Sequence, residues 1–220
     1  MTYLKISLIF LSLFLISFNS FGFIDRVYHS NGQIKHEQNY SDDQLNGEST
    51  FWFENGQIES KKYFRDGKLN GQSIYWYESG ELEGKINHLN GQLNGKETHW
   101  FENSQKSSEK HYNDGKLNGK STFWDVDGLL DLEKNYIDGK LNGKSTFWHE
   151  NGQKSIEGIY VDAKPDGKWT YWSMKGKKTE ERTYQNNKLV DKTIFKYSFF
   201  TGLLKSEKKY KDGNCISSNC

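Results

Sequence analysis

The six histidines are the residues of this chain best suited to acid–base chemistry or metal binding: His29, His36, His88, His99, His111 and His149. A catalytic or metal centre needs several such groups within reach of one atom. His29 and His149 share one place in a repeated pattern but lie five repeats apart, about 50 Å at the usual strand spacing. His88 and His111 fall on opposite faces of the predicted strands. The histidines therefore predict neither a catalytic set nor a metal site.

The carboxylates form a regular column. Glu54, Glu78, Glu102 and Glu150 each stand beside a predicted turn. Neighbouring members would lie about 10 Å apart, near or beyond the widest separation of a glycosidase acid–base pair. The column also repeats, whereas an active site is usually singular, and no glycine-rich stretch resembles a phosphate loop. We therefore expect no enzymatic activity and no cofactor.

The two cysteines, Cys215 and Cys220, both lie in the last six residues. They can form a disulfide that closes a small terminal loop, but they are too close together in the chain to stabilise a whole fold. No neighbouring residues complete a metal-binding set around them.

The N-terminal segment differs from the rest of the chain. Lys5 is its only charge before Asp25, and an apolar run covers 6–18. This run has the length of a signal-peptide core and is short for a spanning helix, which needs about 20 residues. Residues 1–22 are therefore predicted to be a signal peptide, with an uncleaved membrane anchor as the alternative. The protein is expected to be exported, to the periplasm or outside the cell, where disulfides are permitted.

The composition indicates a thin β structure. Aromatic residues are 15% of the chain and all hydrophobic residues only 34%, so nearly half of the apolar set is aromatic. The net charge of +1 argues against a nucleic-acid partner, because such proteins usually show a basic footprint.

A 24-residue repeat dominates the sequence. It places six tryptophans at equal spacing: Trp52, Trp76, Trp100, Trp124, Trp148 and Trp172. Each copy has two turn signals separated by segments rich in Phe, Tyr, Trp and Thr, which predicts one β-hairpin per repeat. We predict an all-β fold of tandem hairpins, forming one long twisted antiparallel meander of roughly fifteen strands over 23–213, with a tail at 214–220.

The turn types fix a predicted register. Two-residue turns at Asn151-Gly152 and Asp138-Gly139 pair Trp148 with Ser155 and Tyr136 with Leu141. The recurring Leu-Asn-Gly triplet is predicted as turn sequence. Alternation then separates an aromatic–aliphatic face, the expected core, from a face with the tryptophans among Thr, Ser, Glu and Lys.

Two surfaces are candidates for binding. The tryptophan column is either a binding surface or cross-strand packing that stabilises the sheet. A basic edge is formed by Lys116, Lys120, Lys140, Lys144, Lys164 and Lys168. It either faces an acidic partner or lipid headgroups, or it keeps the strand edge soluble.

The repeat resembles a known family. The segments Phe51-Trp52-Phe53-Glu54-Asn55-Gly56-Gln57 and His149-Glu150-Asn151-Gly152-Gln153 resemble the MORN-repeat variant, in the version found in YwqK-type bacterial antitoxins. The resemblance covers about 31–192 and, more weakly, extends to 213. It implies hairpin repeats with a non-catalytic binding role and a protein partner to be neutralised, such as a toxin. MORN repeats in general also imply membrane association or scaffolding, so a membrane or envelope polymer is the alternative partner.

Overall fold

The fold is one open antiparallel sheet of β-hairpins, as predicted. The computed structural model of the protein describes residues 22–217. Successive strands pair along the chain, except that the two pieces β5 and β6, β10 and β11, and β13 and β14 both pair with the strand before them. No pairing among these residues joins β1 to β19 or β20. The first ten strands are β1 (Gly22–Tyr28), β2 (Ile34–Ser41), β3 (Gln44–Trp52), β4 (Ile58–Arg65), β5 (Lys68–Leu69), β6 (Gly71–Trp76), β7 (Leu82–Leu89), β8 (Gln92–Trp100), β9 (Lys106–Asn113) and β10 (Lys116–Leu117). The others are β11 (Gly119–Trp124), β12 (Leu130–Ile137), β13 (Lys140–Leu141), β14 (Gly143–Trp148), β15 (Lys154–Val161), β16 (Lys164–Trp172), β17 (Lys178–Gln185), β18 (Lys188–Tyr197), β19 (Leu204–Lys211) and β20 (Asn214–Cys215).

The two turns of each repeat differ. At Asp138-Gly139 both residues have positive φ, 48° and 81°, and Tyr136 pairs with Leu141 as predicted. At Asn151-Gly152 only the glycine has positive φ, so the predicted two-residue turn is wrong there. The His149 N–H donates to the Gln153 carbonyl and the Gly152 N–H donates to the His149 carbonyl, each at 2.8 Å. This is a three-residue loop, and it shifts Trp148 from Ser155 to Lys154.

The Leu-Asn-Gly triplet is a bulge within the strand, not a turn. Gly143 has φ +103°. Between Leu141 and Thr146 the chain has two more residues than the facing segment of β12. The Asn135 amide donates to the Lys144 carbonyl at 2.7 Å and so bridges the irregular segment. Bulges of this kind divide three of the predicted strands, so the structure has more strands than expected.

Both faces of the sheet bury a central row of small polar side chains. The serine face carries Ser49, Ser73, Ser121 and Ser145 among Leu, Phe and Tyr residues, and it corresponds to the expected aromatic–aliphatic core. The Trp face carries the six tryptophans, Thr50, Thr98, Thr122 and Thr146, and rows of Lys and Glu. The deepest positions are the serines and threonines, while the larger rings around them stay half-buried. The sheet is therefore thin, as its composition indicates.

One repeat replaces the serine by a large side chain. Trp169 stands at the serine position and is the one buried apolar side chain among the described residues, 6% exposed. Its ring lies over Gly158, where a built Cβ would be 2.1 Å from the ring. It meets Tyr160 edge-on at 4.9 Å between centroids. Gly158 occupies a position that is Lys134 one repeat earlier, so the glycine makes room for the indole.

The turn at Asp162-Ala163 is strained. Ala163 has φ +64°, in the left-handed region, where five other copies of this turn have glycine. An L-residue loses about 1–2 kcal/mol there, partly offset by the greater freedom of glycine in the unfolded chain. Ala163→Gly should raise the free energy of unfolding by about 0.5–1 kcal/mol, measured by urea denaturation.

The matched change is Gly139→Ala, which places an alanine at the same turn position one repeat earlier. A Cβ there would lie 3.8 Å from Lys116, which is ordinary contact, so its effect reports backbone strain alone. We expect it to lower stability by about 1 kcal/mol. A stabilising Gly139→Ala would contradict the strain argument.

The two ends of the chain were predicted separately from the sheet. Residues 1–21 of the predicted signal peptide lie outside the described residues, and Gly22 opens β1. Cys215 is half-buried in β20, while Cys220 lies outside the described residues, so the disulfide stays a prediction. Residues 22–217 include no helix with the length and apolar character needed to span a membrane.

Candidate functional site

The tryptophan column lies on one face of the sheet. Each tryptophan is the last residue of its strand, namely β3, β6, β8, β11, β14 and β16. All six rings, at Trp52, Trp76, Trp100, Trp124, Trp148 and Trp172, are half-buried. The backbone of three of them is held by the preceding repeat: a side chain at one loop position reaches the tryptophan carbonyl of the next repeat.

Two of the histidines provide these contacts. The His29 ring lies 2.8 Å from the Trp52 carbonyl, and the His149 ring lies 2.9 Å from that of Trp172. The Tyr77 hydroxyl donates to the Trp100 carbonyl at 2.7 Å. These side chains position the column, so the shared phase of His29 and His149 has a structural explanation.

Asparagines lock the loops beside the column. The Asn151 side chain accepts the Gln153 N–H at 3.2 Å and donates to the Met174 carbonyl in the next repeat at 2.6 Å. Asn31, Asn55 and Asn103 make the same pair of contacts. The Asn-Gly-Gln sequence thus fixes the relative position of successive tryptophans.

Lysine–glutamate groups fill the space between tryptophans. Glu157 accepts from Lys144 at 3.0 Å and from Lys154 at 2.6 Å. The hydrogen bond from Lys154, opposed by burial and aided by Lys144, lowers the pKa of Glu157. The same arrangement holds Glu109 between Lys96 and Lys106, and Glu181 between Lys168 and Lys178.

The charges can be exchanged without changing the arrangement. Glu133 accepts a hydrogen bond from Lys120 at 2.6 Å. Three repeats earlier, Lys61 stands at the position of Glu133 and Glu48 at that of Lys120. Lys61 Nζ lies 3.2 Å from the Glu48 carboxylate. Five repeats therefore carry opposite charges at these two positions, and either position can hold the carboxylate.

The predicted basic edge divides into two rows. Lys116, Lys140 and Lys164 are exposed beside the two-residue turns, and within residues 22–217 they have no ion pair. Lys120, Lys144 and Lys168 lie one step further into the Trp face and bind Glu133, Glu157 and Glu181. Only the outer row is thus a free basic edge.

The serine face carries a polar cluster around Glu97 that was not predicted from the sequence. Glu97 occupies the serine position of its repeat, is 7% exposed, and lies 3.1 Å from the His99 ring and 3.0 Å from Lys110 Nζ. The His99 contact, opposed by burial and aided by Lys110, lowers the pKa of Glu97 to about 2. Burial first, and then Glu97, raises the pKa of Tyr112 to about 12.

Glu97 is ionised and Tyr112 is protonated at neutral pH. A general acid or base needs a pKa near the working pH, and neither Glu97 nor Tyr112 has one. The signal that could have found Glu97 is its departure from the serine at the equivalent place in four other repeats.

Other cations of the serine face lie over rings. Lys134 Nζ is 5.5 Å from the Phe147 ring centroid, and Lys62 Nζ is 4.7 Å from that of Phe51. In the described part of the chain, no three His, Cys, Asp or Glu side chains are grouped to hold a metal ion.

Comparison with known proteins identifies the repeat. The family model of the MORN repeat variant matches four segments of the chain, 26–42, 45–66, 69–90 and 141–162. These segments are therefore similar to MORN-variant repeats, as the Asn-Gly-Gln sequences predicted. No curated protein matches the chain.

Proposed function

We propose that this protein is a non-catalytic repeat module that binds a protein partner on the Trp face. The observation that carries the proposal is the column of six half-buried tryptophans, held at constant spacing by contacts between repeats. Tryptophan is enriched at the energetic centres of interfaces, where a partly exposed ring surrounded by polar groups is completed by the partner.

The MORN-variant repeats support a binding role, because such repeats commonly act as binding modules. The same sequences motivate a more specific proposal: the partner is a toxin or similar protein that the chain neutralises, as the resemblance to YwqK-type antitoxins implies. The predicted signal peptide at 1–22 places this encounter in the periplasm or outside the cell.

The second candidate is peripheral association with a membrane or envelope polymer. A specific feature favours it: the loop between β18 and β19 carries Phe199 and Phe200, each 94% exposed. Exposed apolar residues of this size mark interaction sites. The outer lysines Lys116, Lys140 and Lys164 would add attraction to anionic headgroups.

Capture from envelope extract separates the two candidates. The tagged protein is immobilised, incubated with solubilised envelope, and the bound material is quantified. A protein partner recovered in stoichiometric amount supports the proposed function. Sedimentation with lipid or peptidoglycan alone, without such a protein, would refute it and favour the second candidate.

A further inference from the structure

A cleft on the Trp face differs from the others in its charges. Its volume is about 350 Å³, and it is lined by Gln72, Lys85, Asn87, Lys96, Thr98, Trp100 and Lys106. Lys85 stands where Glu109, Glu133, Glu157 and Glu181 stand in later repeats, and Gln72 stands where those repeats have lysine. The repeat's internal carboxylate is therefore missing from this position.

Lys85 has no acidic partner in the described part of the chain. No carboxylate oxygen lies within 4.0 Å of its amine, which stands over the Trp100 ring at 6.0 Å from the ring centroid. The neighbouring pair, Lys96 and Lys106, is already bound to Glu109 at 2.7 and 2.9 Å. Lys85 is thus an unpaired cation beside a half-buried indole.

The polar wall of the cleft is ordered. The Asn87 amide donates to the Lys96 carbonyl at 2.6 Å, and the Gln72 amide donates to Asn87 Oδ1 at 3.4 Å. This chain fixes Asn87 and keeps Gln72 at the mouth beside Lys85.

The same cleft three repeats later shows what fits there. It has a volume of about 260 Å³, and its lining includes Lys144, Glu157, Ile159, Lys168 and Thr170, the equivalents of Gln72, Lys85, Asn87, Lys96 and Thr98. In it the Glu157 carboxylate is held by Lys144 at 3.0 Å. The fold therefore already accommodates a carboxylate on this face, supplied from within the chain.

We propose that the Trp100 cleft binds an Asp or Glu side chain from an acidic segment of the protein partner, which supplies to Lys85 the carboxylate that the repeat lacks there. The inference rests on the proposed function, since it assigns the partner's chemistry at the Trp face. The partner's carboxylate accepts a charge-assisted hydrogen bond from Lys85, and its methylene carbons pack against the Trp100 ring.

The test uses ¹⁵N-labelled protein and poly-L-glutamate as the probe. Each of the seven tryptophans gives one indole N–H signal, and Trp100→Phe identifies that of Trp100. We expect the Trp100 signal to shift on titration while the Trp172 signal, beside the matched cleft, stays in place. Lys85→Glu should weaken binding about tenfold or more, as loss of a charge-assisted hydrogen bond predicts.

Lys144→Gln is the matched control, because it removes one lysine of the same face whose ion pair is already internal. It should leave the affinity for poly-L-glutamate unchanged. If Lys85→Glu fails to fold, as judged by circular dichroism, Lys85→Gln replaces it in the binding measurement. Equal weakening by Lys144→Gln, or equal shifts of Trp100 and Trp172, would overturn the proposal.

Two further probes distinguish the source of the anion. A Trp100 shift with polygalacturonate or phosphatidylglycerol vesicles, but none with poly-L-glutamate, would overturn the assignment to a protein segment. The outcome is separable from that of the proposed function. A partner captured equally by Lys85→Glu and wild type would refute the cleft assignment alone, whereas absence of any protein partner would refute the proposed function.

Discussion

Replacing Gly158 by Lys is expected to destabilise the protein by about 2–3 kcal/mol, the upper range for overpacking a filled site. A Cβ at this position would lie 2.1 Å from the Trp169 ring, so the indole must leave its place. Replacing Trp169 by Ser should cost about 3 kcal/mol by itself, because it empties the space above Gly158.

The double variant Gly158→Lys, Trp169→Ser should recover about half of the summed loss. It recreates the pair that Lys134 and Ser145 form one repeat earlier, where the lysine lies over the Phe147 ring. Urea unfolding of the wild type, both single variants and the double variant gives the coupling energy, expected to be about 3 kcal/mol in favour of the double variant. Additive losses would show that the two residues do not compensate each other.

Glu97→Gln is expected to lower the free energy of unfolding by about 2 kcal/mol at pH 7, because a buried charged hydrogen-bond partner of His99 and Lys110 is lost. The folded-state pKa of Glu97, about 2, lies below the ordinary value of 4.5. Its stabilising effect is therefore fully present above the ordinary value and disappears as the pH falls through about 2.

The pH dependence isolates this residue. Several other glutamates also have a lowered pKa, so the wild type should lose stability from about pH 5 downwards through all of them. The difference between wild type and Glu97→Gln, measured by urea unfolding, should be largest near pH 7 and shrink towards pH 2. Glu78→Gln, at an exposed loop position, is the control and should change little at either pH. A constant difference for Glu97→Gln across this range would contradict the assigned pKa.

The fold could be predicted from sequence because its local signals agree in every repeat. Asp-Gly turns need positive φ at both residues, and the alternation around Leu141, Phe147 and Tyr160 places them on one face. The Asn-Gly loops and the Leu-Asn-Gly bulge were predicted incorrectly because a positive φ at glycine suits several turn types. Only the hydrogen bonds of His149 and Asn135 decide among them.

The candidate site was harder to predict, because its distinctive residues depart from the repeat. The sequence indicates the tryptophan column directly, but whether Lys120 is a free cation depends on Glu133, thirteen residues later on an adjacent strand. Lys85, Glu97 and Trp169 have ordinary residue types. The repeat alignment shows that each departs from its column, but the register is needed to show which side chains each one faces.

The central claim is that the Trp face binds the partner, and capture by face-specific variants tests it most directly. The Trp100→Ala, Trp124→Ala double variant alters the Trp face, and the Lys62→Ala, Lys134→Ala double variant alters the serine face as a control. Partner recovery and melting temperature are measured for both. We expect the tryptophan variant to lose the protein captured by wild type while its melting temperature stays close to that of wild type. We expect the lysine variant to retain the partner. Undiminished capture by the tryptophan variant, or loss of capture only together with loss of folding, would contradict the claim and assign the column to the scaffold.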